Sequence, residues 1–429
     1  MIPSNLIAKK RDGKKLSKKE IYWFVTSFLN KEISESQMSS FLMAIYFKSM
    51  DTKEISSLVN IMIESGSKLD FSNTNYFIAD KHSTGGIGDK TSLILAPILG
   101  SLGIKIPMIA GRALAYTGGT IDKLESIPNF QSKQNIKKFK TLTLKNNCAI
   151  ICQSDEICPA DKEIYRLRDL TATIPSFPLI TSSIMSKKIS EGINSLVLDI
   201  KIGNGAFIKT LKEGKNLARM MKETGDEFNL KTDFIFSSMD QPLGRYAGLA
   251  CEIKESINTL SGDGPEDLIE LTLKLGSKIL IQSGKVDNFK QAVAIQKSVI
   301  KDRSALKKFK TMINNQGGNL NNFSELNRPR YTNYITAKKD GYLSKFDTEG
   351  IGWSLVELGC GYKFKDSTLD YSSGIEFIKK IGDQITKGEK IYRIFNSNKE
   401  KLKAASNSLE KTFKITNQTQ SINLIIDEF

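Results

Sequence analysis

Lys81, His82 and Ser83 stand just ahead of Gly85, Gly86 and Gly88, and Lys90, Thr91 and Ser92 follow them. A glycine-rich turn that opens a helix aims unpaired backbone N–H groups at one point, and the helix dipole adds positive potential there. The lysines add full charges and the hydroxyls add donors, so residues 80–92 suit the capture of a phosphate. The spacing excludes two familiar phosphate loops. Asp89 separates Gly88 from Lys90, where a P-loop needs Gly and Lys adjacent. A dinucleotide fingerprint counted from Gly86 would put its third glycine at Thr91. A plain strand-to-helix turn has the same glycine pattern, and a lone histidine is often structural. His82, the single histidine of the chain, lies inside this polar stretch, and that favours a binding role for it.

Such a loop needs a strand to enter it and a helix to leave it. Residues 76–79, Tyr-Phe-Ile-Ala, read as a short buried strand, and 93–102 as an apolar helix that Pro97 can kink. Residues 104–110 and 148–153 read as further strands. A second glycine-rich turn, 111–120, follows the first of these as 80–92 follows 76–79. In an open α/β sheet the loops after parallel strands share one edge, so both turns can reach one ligand. Pro159 and Pro178 each open a helix, and on the second Ser183 and Lys187 share a face. Residues 196–202 form a strand entering a third small-residue turn, 203–206.

Upstream, Ser17 with Glu20 predicts a boxed helix over 18–29, Ser34 or Ser36 starts a second, and Thr52 starts a third that Gly66 ends. Residues 1–70 thus form an all-helical unit. Downstream, helices are predicted over 211–227, 265–283 and 289–313. A polar linker spans 316–330, short strands begin at 331, and one more helix lies near 401–411.

The chain has 429 residues, 40% of them hydrophobic and 25% charged, which suits an ordinary globular protein of two or three domains. Its N-terminal segment carries no apolar signal region and no run approaches a membrane span, so no membrane partner is expected. The five cysteines are odd in number and lack paired metal spacing, which fits a cytoplasmic location. The net charge of +15 comes from lysines scattered among glutamates, without a compact basic and aromatic tract. Solvated helix faces and collection of an anionic substrate account for it, and no nucleic acid is expected as a partner.

With these motifs placed, the chain resembles the pyrimidine-nucleoside and thymidine phosphorylases. The resemblance is carried by Lys-His-Ser-Thr-Gly-Gly-Ile-Gly-Asp-Lys-Thr-Ser at 81–92 and Thr-Gly-Gly-Thr-Ile-Asp-Lys-Leu-Glu-Ser-Ile-Pro at 117–128. Pro-Ala-Asp-Lys from 159, Arg-Asp-Leu-Thr-Ala-Thr from 168 and Ser-Ser-Ile-Met-Ser-Lys-Lys from 182 follow. Lys-Ile-Gly-Asn-Gly-Ala-Phe from 201 and Gln-Pro-Leu-Gly from 241 complete the series. It implies an α/β protein: a small helical domain (1–70, with 159–192 packed on it), a large α/β domain with a mixed sheet (76–158 and 193–329), and a C-terminal α+β domain (330–429). It implies a homodimer through the helical domain, and a reaction in which inorganic phosphate attacks C1′ of thymidine, deoxyuridine or uridine to release the base and a pentose 1-phosphate.

Carried over residue by residue, the resemblance makes Lys81, Ser83, Ser92 and Thr120 phosphate ligands, with Met108 and Ala110 bordering them. Arg168, Ser183 and Lys187 contact the base, His82 stands near the base carbonyl, and Leu114, Ile180 and Phe207 wall the pocket. His82, Arg168 and Lys187 are the expected catalytic residues. No cofactor is required for the chemistry. A structural monovalent cation, potassium, seen in some relatives would take backbone oxygens of Gly88, Lys90, Leu243 and Tyr246 and the Glu255 carboxylate. The second loop departs from the pattern: Ala110 replaces a serine, Ala113 and Ala115 replace glycines, Tyr116 replaces a histidine, and an asparagine common in relatives is absent at Leu249. Two other readings compete. An anthranilate phosphoribosyltransferase-like glycosyltransferase would need an acidic Mg²⁺-binding cluster, and a basic nucleic-acid-binding protein would need the basic, aromatic-rich face that the sequence lacks.

Overall fold

In the computed structural model, which describes residues 1–364 and 367–429, the chain opens with α1 (Pro3–Arg11), α2 (Lys18–Leu29), α3 (Glu35–Lys48) and α4 (Thr52–Glu64). Ser17 and Ser34 close capping boxes with Glu20 and Gln37. Asp51, rather than Thr52, caps α4, in a box with Glu54. Each box satisfies N–H groups that a helix start leaves unpaired.

The α/β part then runs β1 (Ala79–Ser83), α5 (Thr91–Ser101), β2 (Ile106–Ala110), α6 (Thr120–Glu125), α7 (Ile136–Asn146) and β3 (Cys148–Cys152). Two helices intervene, α8 (Pro159–Leu170) and α9 (Phe177–Ser190). The chain returns through β4 (Ser195–Ile202), α10 (Leu211–Glu227), β5 (Lys231–Ser238), β6 (Tyr246–Gly248) and α11 (Ala250–Leu260). Next come α12 (Glu266–Gln282), α13 (Phe289–Lys301), α14 (Ser304–Asn315) and the short α15 (Phe323–Leu326). The last portion is β7 (Tyr331–Thr336), β8 (Gly341–Phe346), α16 (Thr348–Glu357), β9 (Gly374–Phe377), β10 (Gln384–Ile385), β11 (Lys390–Asn396), α17 (Lys399–Leu409), β12 (Phe413–Thr416) and β13 (Ile425–Glu428).

The strand order explains where a ligand can sit. β1 pairs in parallel with β4, β4 with β5, and β2 with β3. The lead-ins of β1 and β2 are joined by the Ala79 N–H to the Lys105 carbonyl at 2.9 Å and by a parallel bridge between Ile78 and Lys105. The chain therefore moves from β1 outward through β2 to β3, then crosses back to the other side of β1 for β4 and β5. β1 is the strand at which the order reverses, and its carboxyl end opens into the crevice that such a reversal creates. β13 adds an antiparallel edge to β5, so the sheet is mixed.

One apolar cluster joins α2–α4 to α8 and α9 through Phe24, Phe41, Leu58, Met62, Ile164 and Met185. The pairings cross the expected 330 boundary twice: β6 joins β9 in the C-terminal sheet, and β13 joins β5 in the α/β sheet.

Four sequence expectations change. The first strand is not 76–79 but Ala79–Ser83, so Lys81, His82 and Ser83 sit on a strand end rather than in a loop. Its polar side chains are tolerated because neighbouring elements supply partners, described below. The helix expected over 289–313 is two helices, because Arg303 takes a left-handed φ of 63° and the Asp302 carboxylate accepts from Ser304 N–H at 2.8 Å. That local bond competes with the helical one. The expected linker 316–330 is packed on the α/β part. Gln316 is fully buried, donates to Ile150 O at 2.8 Å and accepts from Ile150 N–H at 3.2 Å, completing the edge of β3. Helices α1, α6, α7, α11 and α16 have no counterpart in the sequence reading. Among the described residues no helix is long and apolar enough to cross a membrane.

Candidate active site

Lys81 and Ser83 lie on one face of β1 and His82 on the other, as strand alternation requires. On the Lys81 side, Asp89 gathers the cluster. Its carboxylate accepts from Ser83 Oγ and from Thr91 Oγ1 at 2.7 Å, and it lies 3.8 Å from Lys81 Nζ and 4.0 Å from Lys201 Nζ. Lys81 also donates to Thr91 Oγ1 at 2.6 Å, and Lys201 pairs with Asp199 at 2.6 Å. Burial resists ionisation of Asp89, but Lys81, Lys201 and the Ser83 hydroxyl outweigh it and hold its carboxyl well below the usual range. Burial lowers the Lys81 pKa, against the pull of Asp89 and Asp199. Cations and hydroxyls thus converge where an anion already sits.

His82 is half-buried and carries no charge near neutrality. Burial comes first, and Lys188, Lys187 and Lys81 then push its pKa well below the ordinary value. Those three lysines come from β1 and from α9, so the imidazole stands where the two elements face one another. A neutral imidazole donates through one nitrogen and accepts through the other.

Lys187 donates to Ser183 Oγ at 2.8 Å, the four-residue spacing read from the sequence, and also to the Asp161 carboxylate of α8. Arg168 is almost fully buried. Its guanidinium donates to Ile174 O at 2.7 Å and to Leu179 O at 3.1 Å, one in the turn between α8 and α9 and one in the first turn of α9, while Nε has no partner among the described residues. Asp161 lies close enough to raise the pKa of Arg168 against the lowering by burial. It is therefore the anion shared by both cations.

The two glycine turns are joined. Lys123 of α6 donates to Asp89 O at 2.7 Å and pairs with Glu252 of α11 at 2.6 Å. Asp122 accepts from Ala113 N–H at 2.6 Å and from Arg112 at 2.9 Å, clamping the second turn onto α6. Gly119 must be glycine, since a Cβ there would lie 2.2 Å from Ala113 N. Thr120 opens α6 and Ser92 lies in the first turn of α5, both half-buried. Ala110 ends β2, opposite Cys152, and the Met108 side chain is in the core. Leu114, Ile180 and Phe207 are half-buried apolar residues on three separate segments. Phe207 packs on Tyr116 with ring centroids 5.3 Å apart. Tyr116 is itself buried, also against Trp353, and burial raises its pKa to about 12.

The residues expected to hold a monovalent cation do not fit one. The Lys90 side chain turns inward, and its ammonium donates to Leu243 O at 3.1 Å, to Tyr246 O at 2.6 Å and to the Glu255 carboxylate. Burial disfavours that charge, but Glu255 and Glu252 raise the pKa overall. Gly88 touches the same place: a Cβ on it would lie 2.4 Å from Leu243 O.

Sequence reasoning did not single out Asp89, Lys201, Asp161, Lys123 or Lys188. All five stood in the quoted motifs, and the available signal was charge balance: a cluster of cations needs buried anions to hold it together.

The helical bundle and the reversed α/β sheet with its joined glycine turns are the two domains of a glycosyl transferase. Residues 4–66 match the helical bundle domain of the glycosyl transferase family and 75–306 match its α/β domain. Residues 342–416 match the pyrimidine nucleoside phosphorylase C-terminal domain. A pyrimidine-nucleoside phosphorylase of Geobacillus stearothermophilus is 42% identical over 428 residues, 99% of each chain. One of Staphylococcus epidermidis is 43% identical over 399 residues, 92% of each. The chain belongs to the pyrimidine-nucleoside phosphorylase family. Among solved structures, anthranilate phosphoribosyltransferase from Thermus thermophilus is similar in fold, with a TM-score of 0.59 at 14% identity over 72% of this chain and 98% of that one.

Proposed function

We propose that this protein catalyses reversible phosphorolysis of pyrimidine nucleosides, thymidine, deoxyuridine and uridine, to the free base and a (deoxy)ribose 1-phosphate. The observation that carries this reading is the pairing of two clusters, Lys81, Ser83, Thr91 and Asp89 at the end of β1 and Lys187, Ser183 and Asp161 on α9 and α8, which the buried Lys188–Asp80 pair holds together. In such a reaction the bond to the base stretches as phosphate approaches C1′, so the base gains negative charge and the sugar carbon becomes cationic. Lys81, Ser83, Ser92 and Thr120 hold phosphate beneath C1′, and Ala110 borders it. Lys187 and Arg168 stabilise the charge growing on the base, Ser183 fixes its orientation, and neutral His82 donates to its carbonyl. Leu114, Ile180 and Phe207 enclose the ring. Met108, with its side chain in the core, supports the phosphate strand from behind.

The five cysteines are all free and buried, which supports a cytoplasmic enzyme. Exposed Tyr22, Tyr46 and Phe47 on α2 and α3 support a homodimer through the helical domain. The test is an assay on thymidine, deoxyuridine and uridine with and without phosphate. Phosphate-dependent release of the base is expected. Base release without phosphate, or activity only with phosphoribosyl pyrophosphate, would refute the reading.

A further inference from the structure

Lys90 is fully buried, and its ammonium has three N–H donors facing three acceptors: the carbonyl oxygens of Leu243 and Tyr246 and the Glu255 carboxylate. We propose that this ammonium is a built-in cation that takes the place of a bound monovalent metal ion, so the protein holds this junction together without one.

An ammonium is a compact point charge carried on a flexible stem, and here every donor is used. The glycines on either side crowd the same oxygens. A Cβ on Gly88 would lie 2.4 Å from Leu243 O, and one on Gly244 would lie 2.9 Å from Lys90 Nζ and 2.6 Å from Glu255 Oε2. The carboxylate is fixed further by Arg245 N–H, 2.8 Å from its other oxygen, and by Tyr246 N–H, 3.2 Å from the oxygen that Lys90 holds. A metal ion entering here would have to displace the ammonium from the oxygens it would itself need.

The junction matters because of what it joins. Lys90 is the residue before α5, whose first turn carries Thr91 and Ser92. Leu243 N–H donates to Ile87 O at 3.0 Å, a second tie between the first glycine turn and the segment after β5. That segment continues into β6, which pairs with β9 of the C-terminal sheet. Lys90 therefore fastens the glycine turn to both α11 and the C-terminal part. In a chain with a small polar residue at position 90, the same oxygens would be left for an ion from solution.

The test reads stability, so it stands whether or not the nucleoside reading holds. Melting temperatures of the full chain are measured in potassium, sodium and choline chloride at one ionic strength. The unmodified protein is expected to melt at the same temperature in all three, within about 1 °C. The Lys90→Thr variant is expected to melt several degrees lower in choline and to recover part of the loss in potassium, because the vacated oxygens then take an ion. Potassium raising the melting temperature of the unmodified protein would overturn the proposal, and so would a variant equally unstable in all three salts. If the variant does not fold, rubidium-soaked crystals of the unmodified protein decide. No anomalous peak among Leu243, Tyr246 and Glu255 is expected, and a peak there with Lys90 turned away would overturn the proposal.

Discussion

Lys188 of α9 and Asp80 of β1 form a completely buried ion pair, one residue away from Lys187 on the helix and from Lys81 on the strand. Lys188 also donates to Ile109 O at 3.0 Å and pairs with Glu191 at 2.8 Å, and Glu191 accepts from Ile109 N–H at 2.9 Å. The helix that carries Ser183 and Lys187 is thereby fixed to the two strands behind both glycine turns. Burial pushes the Glu191 carboxyl well above the usual range, with Lys188 opposing. Lys188→Met should cost about 3–5 kcal/mol, since it strands a buried charge. Glu191→Gln should cost about 1 kcal/mol or less. Urea unfolding of the two variants checks this, and equal losses would contradict the larger role given to Lys188.

His82 can be followed without interference from any other histidine. Its ring signals should stay those of neutral imidazole as the pH falls to 6.5, with a midpoint below that value. The sign follows from its depressed pKa. Below pH 6.5 the unfolded chain takes up a proton that the folded chain refuses, so stability falls with pH until the folded group also titrates. His82→Gln should remove that one-proton component, about 1.4 kcal/mol per pH unit at most. Saturating uracil should shift the ring signals. A midpoint above 6.5 would rule out the electrostatic setting described here.

Lys187 and Arg168 test the base site. Replacing either by alanine should lower turnover by roughly two orders of magnitude. Asp161→Asn keeps Lys187 but removes the anion that holds it, and should cost about tenfold, chiefly in kcat rather than in the phosphate KM. Near-normal turnover of a folded Lys187→Ala protein would remove it from the mechanism.

Ala110 leaves the end of β2 without a hydroxyl. A hydrogen bond to a charged group is worth about 1.5–3 kcal/mol, but Lys81, Ser83, Ser92 and Thr120 remain. Ala110→Ser should therefore lower the phosphate KM modestly and leave the nucleoside KM nearly unchanged. Steady-state kinetics with each substrate varied in turn decides it, and an effect confined to the nucleoside would place residue 110 away from phosphate.

Ala115 occupies a left-handed φ of 51° in the turn closed by Thr117 N–H on Leu114 O at 3.0 Å. A β-carbon is strained there, and the residue is exposed, so no packing offsets the strain. Ala115→Gly should stabilise the protein by up to about 1 kcal/mol, read as a higher melting temperature.

What the sequence determined by itself was local or carried in contiguous motifs. Ser17 with Glu20 marks a helix start because the box closes within four residues. Ser183 and Lys187 share a face because a helix repeats every 3.6 residues. The two glycine turns could be matched on one edge because each follows a strand. What only the tertiary structure decided depends on partners distant in sequence. Asp80 to Ser83 look like a loop in isolation; they extend β1 because β4 supplies the ladder and Lys188 and Thr91 receive the side chains. Gln316 reads as linker and is core, because β3 leaves an edge for it to complete. Lys90 reads as a phosphate-loop cation, yet its charge points the other way, toward oxygens 153 and 165 residues further along the chain. A side chain's direction is set by whichever buried acceptors the fold brings within reach, and no local pattern encodes that.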